Sequence, residues 1–288
     1  MTYQLRRHAL GYMEIENKPS ATELSAYYER RYFQAPTGQY QTDYSEAELD
    51  YFRAKAQLCS QTLELYNRRA ETLLELGSGE GFFADYFYQR GTTLTLNDLS
   101  SAGMERFNPH LLPYLATGDA LQALEDQITS KKRFDLITLD NVLEHVLDPA
   151  ALIERIKPVM HAGSTLRITV PNDYSSFQDL LEAGGMTTPT WVAPPDHLSY
   201  FNASNLKDFI RAAGLKIVSC QVDFPIEVFL ANAHSNYAKN RSLGAEAHAA
   251  RVLCTQYLAQ KDITAYVRYC EAAAQLEFGR DTTLYAAL

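Results

Sequence analysis

Three glycines stand in five residues at Gly77-Ser78-Gly79-Glu80-Gly81, between an apolar run at 72–76 and a helical pattern that opens on Phe82. Glycine at that density costs backbone entropy, and the return is access. With no Cβ in the way, a ligand can lie against the main chain, where the next helix offers unpaired N–H groups. Asp98, ending the following apolar run, is placed to take both hydroxyls of a ribose, so a nucleoside is the ligand these residues suit. The spacing is G-x-G-x-G, without the extra residue that seats a pyrophosphate in dinucleotide folds, and a merely tight strand-to-helix turn would use the same glycines. Gly118-Asp119-Ala120 ends a third apolar run, where Asp119 either receives an adenine amino group or N-caps the helix that follows. Asp140-Asn141 and Glu144-His145 come directly after FDLITL at 134–139, and such groups at the mouth of a buried strand are expensive unless they face a site. His145 and, in a later loop, His197 are the imidazoles placed to take a proton from an acceptor hydroxyl. An orienting hydrogen bond for His145 and a loop-pinning contact for His197 are the structural alternatives.

These residues need elements to hold them. Apolar runs at 72–76, 92–96, 114–117, 134–139, 165–170 and 215–223 read as strands, separated by helical patterns at 82–89, 102–107, 121–128, 149–160 and 204–213. Pro149 suits a first helical turn, and Ser204 is the expected cap of its helix. The alternation predicts an α/β fold, a doubly wound, mostly parallel sheet of Rossmann-like, seven-stranded type with helices on both faces. Residues 1–68 are expected to form a helical lid, rich in tyrosine at its start, with one long helix over 46–67 capped by Ser45 and Glu48. The core is expected over 69–225. Residues 174–200, with Trp191, read as an irregular loop at the ligand end, and 226–288 as a helical extension that shapes the acceptor pocket or an oligomer contact.

Composition narrows the function. The 288 residues are 46% hydrophobic, and 26 basic against 35 acidic side chains give a net charge of −9. An acidic chain without a basic run is a poor binder of phosphate backbones, so nucleic acid is not an expected partner. The four cysteines, at 59, 220, 254 and 270, form no C-x-x-C pair and read as reduced thiols. No run is long and apolar enough for a membrane span, and MTYQLRRHAL lacks a signal-peptide core, so a soluble, unprocessed, cytoplasmic protein is expected.

With these marks in place the chain resembles the class I S-adenosylmethionine-dependent methyltransferases. Leu74-Glu75-Leu76-Gly77-Ser78-Gly79-Glu80-Gly81, Asn97-Asp98-Leu99-Ser100, Gly118-Asp119-Ala120 and the stretch from Phe134-Asp135 through Val142-Leu143-Glu144-His145-Val146 carry the resemblance. It is most similar to the ubiquinone-biosynthesis O-methyltransferase branch, while Val170-Pro171-Asn172 and His197-Leu198-Ser199-Tyr200-Phe201 look like methyltransferases of surface-polysaccharide and natural-product pathways. The resemblance implies S-adenosylmethionine as cofactor, S-adenosylhomocysteine as product and a small-molecule acceptor methylated on oxygen in preference to nitrogen. It places Glu75 and the main chain of Gly77, Ser78, Gly79 and Gly81 at the methionine part, with Phe82 beside it and Tyr40 of the lid closing over. Asp98 goes to the ribose, Gly118 and Asp119 to the adenine amino group, Leu99 and Ala120 to the ring faces, and Asp140 and Asn141 beside the sulfonium and ammonium. Asn97 departs from the family, which often has an apolar residue there. No metal is expected, although Asp140, Glu144, His145 and His197 form a set that resembles faintly the ion site of small-RNA 2′-O-methyltransferases. A homodimer through the tail, a nicotinamide-dependent oxidoreductase and a non-catalytic nucleoside-binding module are the other readings.

Overall fold

The computed structural model describes residues 3–28 and 43–288. Its centre is a seven-stranded sheet built from β3 (Thr72–Leu76), β4 (Thr93–Asp98), β5 (Leu115–Thr117), β6 (Leu136–Asp140), β7 (Thr165–Pro171), β9 (Lys216–Val222) and β10 (Asp281–Ala287), in the order β5-β4-β3-β6-β7-β10-β9. β3 to β7 pair in parallel, whereas β10 runs antiparallel to both of its neighbours. The order reverses between β3 and β6, and the crevice beyond the strand ends at that switch point is where open α/β sheets bind ligands.

Helices cover both faces. α5 (Ala120–Thr129), α6 (Pro149–Ile156) and α8 (Ala203–Ala212) bury Leu124, Leu152, Ile153, Leu206 and Phe209 against Leu74, Ile137, Leu139, Ile168 and Leu284 of the sheet. α2 (Glu46–Leu65), α3 (Phe82–Tyr88) and α4 (Ala102–Phe107) cover the other face, where Ala56, Cys59, Ala84 and Met104 meet Leu73, Leu96 and Leu136. The second face is not uniformly apolar. Glu75, Thr138, Arg167 and Tyr285 stand in register across four adjacent strands and are all buried. α2 starts on the expected capping box, with Ser45 and Glu48 exchanging side-chain and backbone bonds.

Three sequence expectations need correction. The tail is not purely helical: after α9 (Gly244–Lys261) and α10 (Ile263–Gln275) the chain returns as β10, an interior strand between β7 and β9. Its TTLYAA run had no local partner to reveal it. The described N-terminus is not only helical either. β1 (Leu5–Arg7) and β2 (Met13–Ile15) form a hairpin, followed by α1 (Ala21–Tyr28), and β2 pairs with β8 (Ser199–Tyr200) to make a second, three-stranded sheet. The stretch read as irregular contains α7 (Ser176–Ala183) as well as β8. A smaller shift concerns α8, whose cap is Asn202 with Asn205 completing the box, and not Ser204. Among the described residues no helix is long and apolar enough to cross a membrane.

Candidate active site

The glycine loop joins β3 to α3, and its three glycines do different work. All have positive φ, at 79°, 52° and 80° for Gly77, Gly79 and Gly81. A Cβ on Gly77 would meet Val142 Cγ2 at 2.5 Å, and one on Gly81 would press on Leu111 and Met104 at 3.2 and 3.3 Å. At Gly79 a Cβ would find nothing within 4 Å among the described residues. Gly77 and Gly81 therefore serve packing, while Gly79 leaves main chain open to a ligand.

The acids of the rim fall into place along the strand ends. Asp98 Oδ2 accepts the Gly79 N–H at 2.8 Å and Oδ1 the Ser100 N–H at 3.0 Å, so the loop and the β4 end are tied together. Asn97 is buried and well anchored. Its side-chain amide donates to the Ala116 and Gly118 carbonyls, and its own carbonyl accepts from Gly77 and Ser78. The unusual polar residue is thus the bolt that fastens short β5 to the loop. Asp119 caps α5, accepting from the Leu121 and Gln122 N–H groups through one oxygen. An open cleft of about 350 Å³ lies beside it, lined also by Glu125 and Arg155, and Leu99 and Leu121 are both exposed.

Glu75 and Asp140 share one face of the sheet, but their pKa values are shifted in opposite directions. Burial, with the Asp140 charge nearby, holds the Glu75 carboxyl well above the usual carboxylate range, and Oε2 has no hydrogen-bond partner among the described residues. Burial would push Asp140 the same way, but the ion pair with Arg167 and a bond from Thr169 outweigh it and hold Asp140 below its ordinary value. Arg167 was missed by sequence reasoning. The signal was present as one charged residue inside the apolar run TLRITVP, which a buried strand tolerates only with a partner. Asn141 follows with φ 52°, a conformation asparagine tolerates, and its N–H donates to Thr169.

His145 closes a short 3-10 turn over 143–145. Its Nδ1 lies 2.7 Å from the Asp196 carbonyl, which assigns the proton to Nδ1 and the lone pair to Nε2. The His197 ring stands 4.9 Å away, nearly perpendicular. The two expected imidazoles therefore meet, although 52 positions separate them (197 − 145). Glu144, 1% exposed, is raised well above its ordinary value by burial, and neither of its oxygens has a hydrogen-bond partner among the described residues. Ligand atoms of Glu144, His145 and His197 lie within 4.8 Å of one another, so they could hold a metal ion; Asp140, engaged by Arg167, does not join that group. The small sheet pins this corner: Ile15 donates to the Leu198 carbonyl and Lys18 to that of Leu147.

Phe82 packs into an aromatic cluster, stacked on Phe52 at 4.9 Å and edge-on to Tyr44, whose hydroxyl donates to Glu80. Tyr40 lies outside the described residues.

A profile of the family described as "Methyltransferase domain" matches residues 49–220. Among curated proteins, the ubiquinone biosynthesis O-methyltransferase of Paraburkholderia phytofirmans is 25% identical over 152 residues, 51% of this chain and 65% of that one. The mitochondrial enzyme of the same description from Candida albicans is 27% identical over 158 residues, 51% and 47% of the respective chains. The chain thus spans less than two thirds of the length of these relatives. Among solved structures, the 1,6-didemethyltoxoflavin-N1-methyltransferase of Burkholderia thailandensis aligns with a TM-score of 0.49 at 12% identity, over 99% of this chain and 98% of that one.

Proposed function

The chain belongs to this methyltransferase-domain family, of the class I S-adenosylmethionine-dependent type, and from that premise we propose that it moves a methyl group to an oxygen of a small-molecule acceptor, a sugar or sugar-linked hydroxyl in the making of a surface polysaccharide or natural product. The observation that carries the reading is at Gly79. Its N–H is held by Asp98, while among the described residues the space a Cβ would fill stands open, so a nucleoside can lie on the loop within reach of the ribose-binding acid.

Asp98 takes the ribose hydroxyls, Asp119 the adenine amino group, and Leu99 and Ala120 the faces of the ring. Glu75 and the loop main chain receive the methionine part, with Asp140 and Asn141 at its cationic end. The cofactor supplies an electrophilic methyl on a sulfonium and carries no phosphate, so a rim of carboxylates suits its charge. The protein's task is alignment and exclusion of water. His145 Nε2 accepts the acceptor's proton, with Nδ1 fixed by the Asp196 carbonyl and His197 closing the other side.

Calorimetric titration with S-adenosylmethionine and with NAD, then release of S-adenosylhomocysteine from reactions with nucleotide sugars and small phenols, tests the reading. Binding of NAD alone overturns it.

A second reading is favoured by the buried carboxylate of Glu144, whose Oε1 lies 3.8 Å from His145 Nε2 with the His197 ring close by. A divalent ion held by Glu144, His145 and His197 would supply Lewis acidity at the acceptor oxygen in place of a base. Dialysis against EDTA separates the two: unchanged turnover keeps the imidazole base, and loss restored by Mg²⁺, Mn²⁺ or Zn²⁺ replaces it. The homodimer through α9 and α10 is proposed on their exposed Leu253, Tyr257 and Tyr269, with Leu276 directly after α10, and light scattering decides it.

A further inference from the structure

Arg167 is the least expected residue in the sheet. It sits mid-strand on β7 and is 4% exposed, between Thr138 of β6 and Tyr285 of β10 in register. Burying a guanidinium there is costly, and a structural purpose alone would be met by an aliphatic side chain. Besides a hydrogen bond to the Tyr285 side chain of β10, its contacts lie in two directions. The side chain reaches the end of β6, where it ion-pairs with Asp140, and its guanidinium carbon lies 4.7 Å from the centre of the Phe83 ring, in the first turn after the glycine loop.

We propose that Arg167 is a positioning residue for cofactor binding, a strut whose guanidinium fixes the Asp140 carboxylate relative to the glycine-loop helix. The inference rests on the cofactor site proposed above and goes beyond it. One wall of that site is the loop with α3; the other is the end of β6 with Asp140. No hydrogen bond of the main sheet spans that gap at the height of Asp140, since β3 pairs with β6 only as far as Leu76 and Leu139. Arg167 supplies the missing brace from the neighbouring strand. The same ion pair orients Asp140 and keeps it charged next to Glu75, so the site presents a fixed anion to the cationic end of the cofactor. Other charged groups act on Asp140 as well: Lys55 of α2 favours its ionised form. Lys55 makes its own ion contact with Asp281, at 3.8 Å, and so leaves Arg167 as the group in direct contact.

The test is calorimetric binding of S-adenosylmethionine across pH 5.5–8.5 to the wild type, Arg167→Met, Arg167→Lys, Asp140→Asn and the Arg167→Met/Asp140→Asn double variant. Removal of Arg167 is expected to weaken binding on the order of tenfold to a hundredfold, and to deepen the loss of affinity at the acid end of that range, where Asp140 then adds its own proton uptake to that of Glu75. Lysine should restore part of both effects. Asp140→Asn should cost little once Arg167 is gone. The inference is overturned if the wild type binds but Arg167→Met keeps its affinity and pH profile, or if the two single losses simply multiply in the double variant. A wild type that binds no S-adenosylmethionine removes the function reading and the strut with it. Should Arg167→Met fail to fold, Arg167→Lys and the double variant, which leaves no unpaired charge, carry the same comparison; a lysine variant equal to wild type in affinity and profile would then count against a guanidinium strut.

Discussion

Glu75 and Asp140 are carboxyl groups on the adjacent strands β3 and β6, facing the same side of the sheet, and the fold shifts their proton affinities in opposite directions. Burial raises the proton affinity of Glu75, while Arg167 lowers that of Asp140. A cationic ligand arriving between them changes only one of the two. Its ammonium favours the ionised form of Glu75, so binding is expected to release a proton at pH values between the ordinary 4.5 and the raised value. Affinity rises with pH over that window. Calorimetry in buffers of different ionisation enthalpy reads the proton directly, and Glu75→Gln should abolish the release and weaken binding.

Glu144 offers a stability test. Its carboxyl, raised by burial above the ordinary 4.5, contributes stability that is fully present below that value and is lost as pH rises through the folded one. The ligand-free wild type should therefore weaken from mildly acidic to mildly alkaline pH more than Glu144→Gln does. At pH ~8 the glutamine variant is expected to be more stable by about 1–3 kcal/mol, with reduced turnover. Chemical denaturation at pH ~5 and ~8 measures it, and equal pH slopes would refute it.

The glycines of the loop separate packing from binding. Gly77→Ala is expected to cost about 2–4 kcal/mol of stability, since a Cβ there meets Val142 at 2.5 Å and φ is positive. Val142→Ala in the same chain should return part of the loss. Gly79→Ala carries the backbone strain without the clash, about 1 kcal/mol, and its main effect is expected on S-adenosylmethionine affinity. Thermal unfolding and calorimetry on the same variants distinguish the two patterns.

Most of the strand-end rim proposed as the cofactor wall was legible in the sequence because it is local. The glycines, Asp98, Asp119 and Asp140 each end a strand or a turn whose period is visible within a short window, and the parallel βαβ rhythm sets their order. Asp119 was readable as either ligand or cap. The structure shows the cap, and the cofactor contact remains the proposal. β10 was not legible because its partners, β7 and β9, are remote in sequence and its seven residues carry no helix or turn signal of their own. The N-terminal hairpin hid for the same reason: β2 is completed by Ser199 and Tyr200. Arg167 was visible but unassigned, since its partner is set by sheet register and not by spacing along the chain.

The imidazole pair predicts a kinetic split. His145→Ala should lower turnover of a hydroxyl acceptor by roughly a hundredfold or more while leaving S-adenosylmethionine affinity nearly unchanged. His197→Ala should act more weakly and raise the acceptor KM. Steady-state rates together with cofactor titrations check both. Full activity in the double variant would remove the base assignment but leave the cofactor site standing.

Among the described residues, β9 reaches the rest of the main sheet only through β10. As the chain emerges from a ribosome, residues 216–222 appear before the strand that will attach them, a wait of roughly 3–6 seconds at ~10–20 residues per second. α9 and α10 are synthesised during that pause, and α10 packs directly on β9. The helical insertion thus acts as a nursery for the strand, shielding one face while its edge stays unpaired. A nascent chain arrested before residue 281 lacks the strand that joins β9 to β7, so the main sheet should become protease-resistant as one unit only after β10 has cleared the exit tunnel.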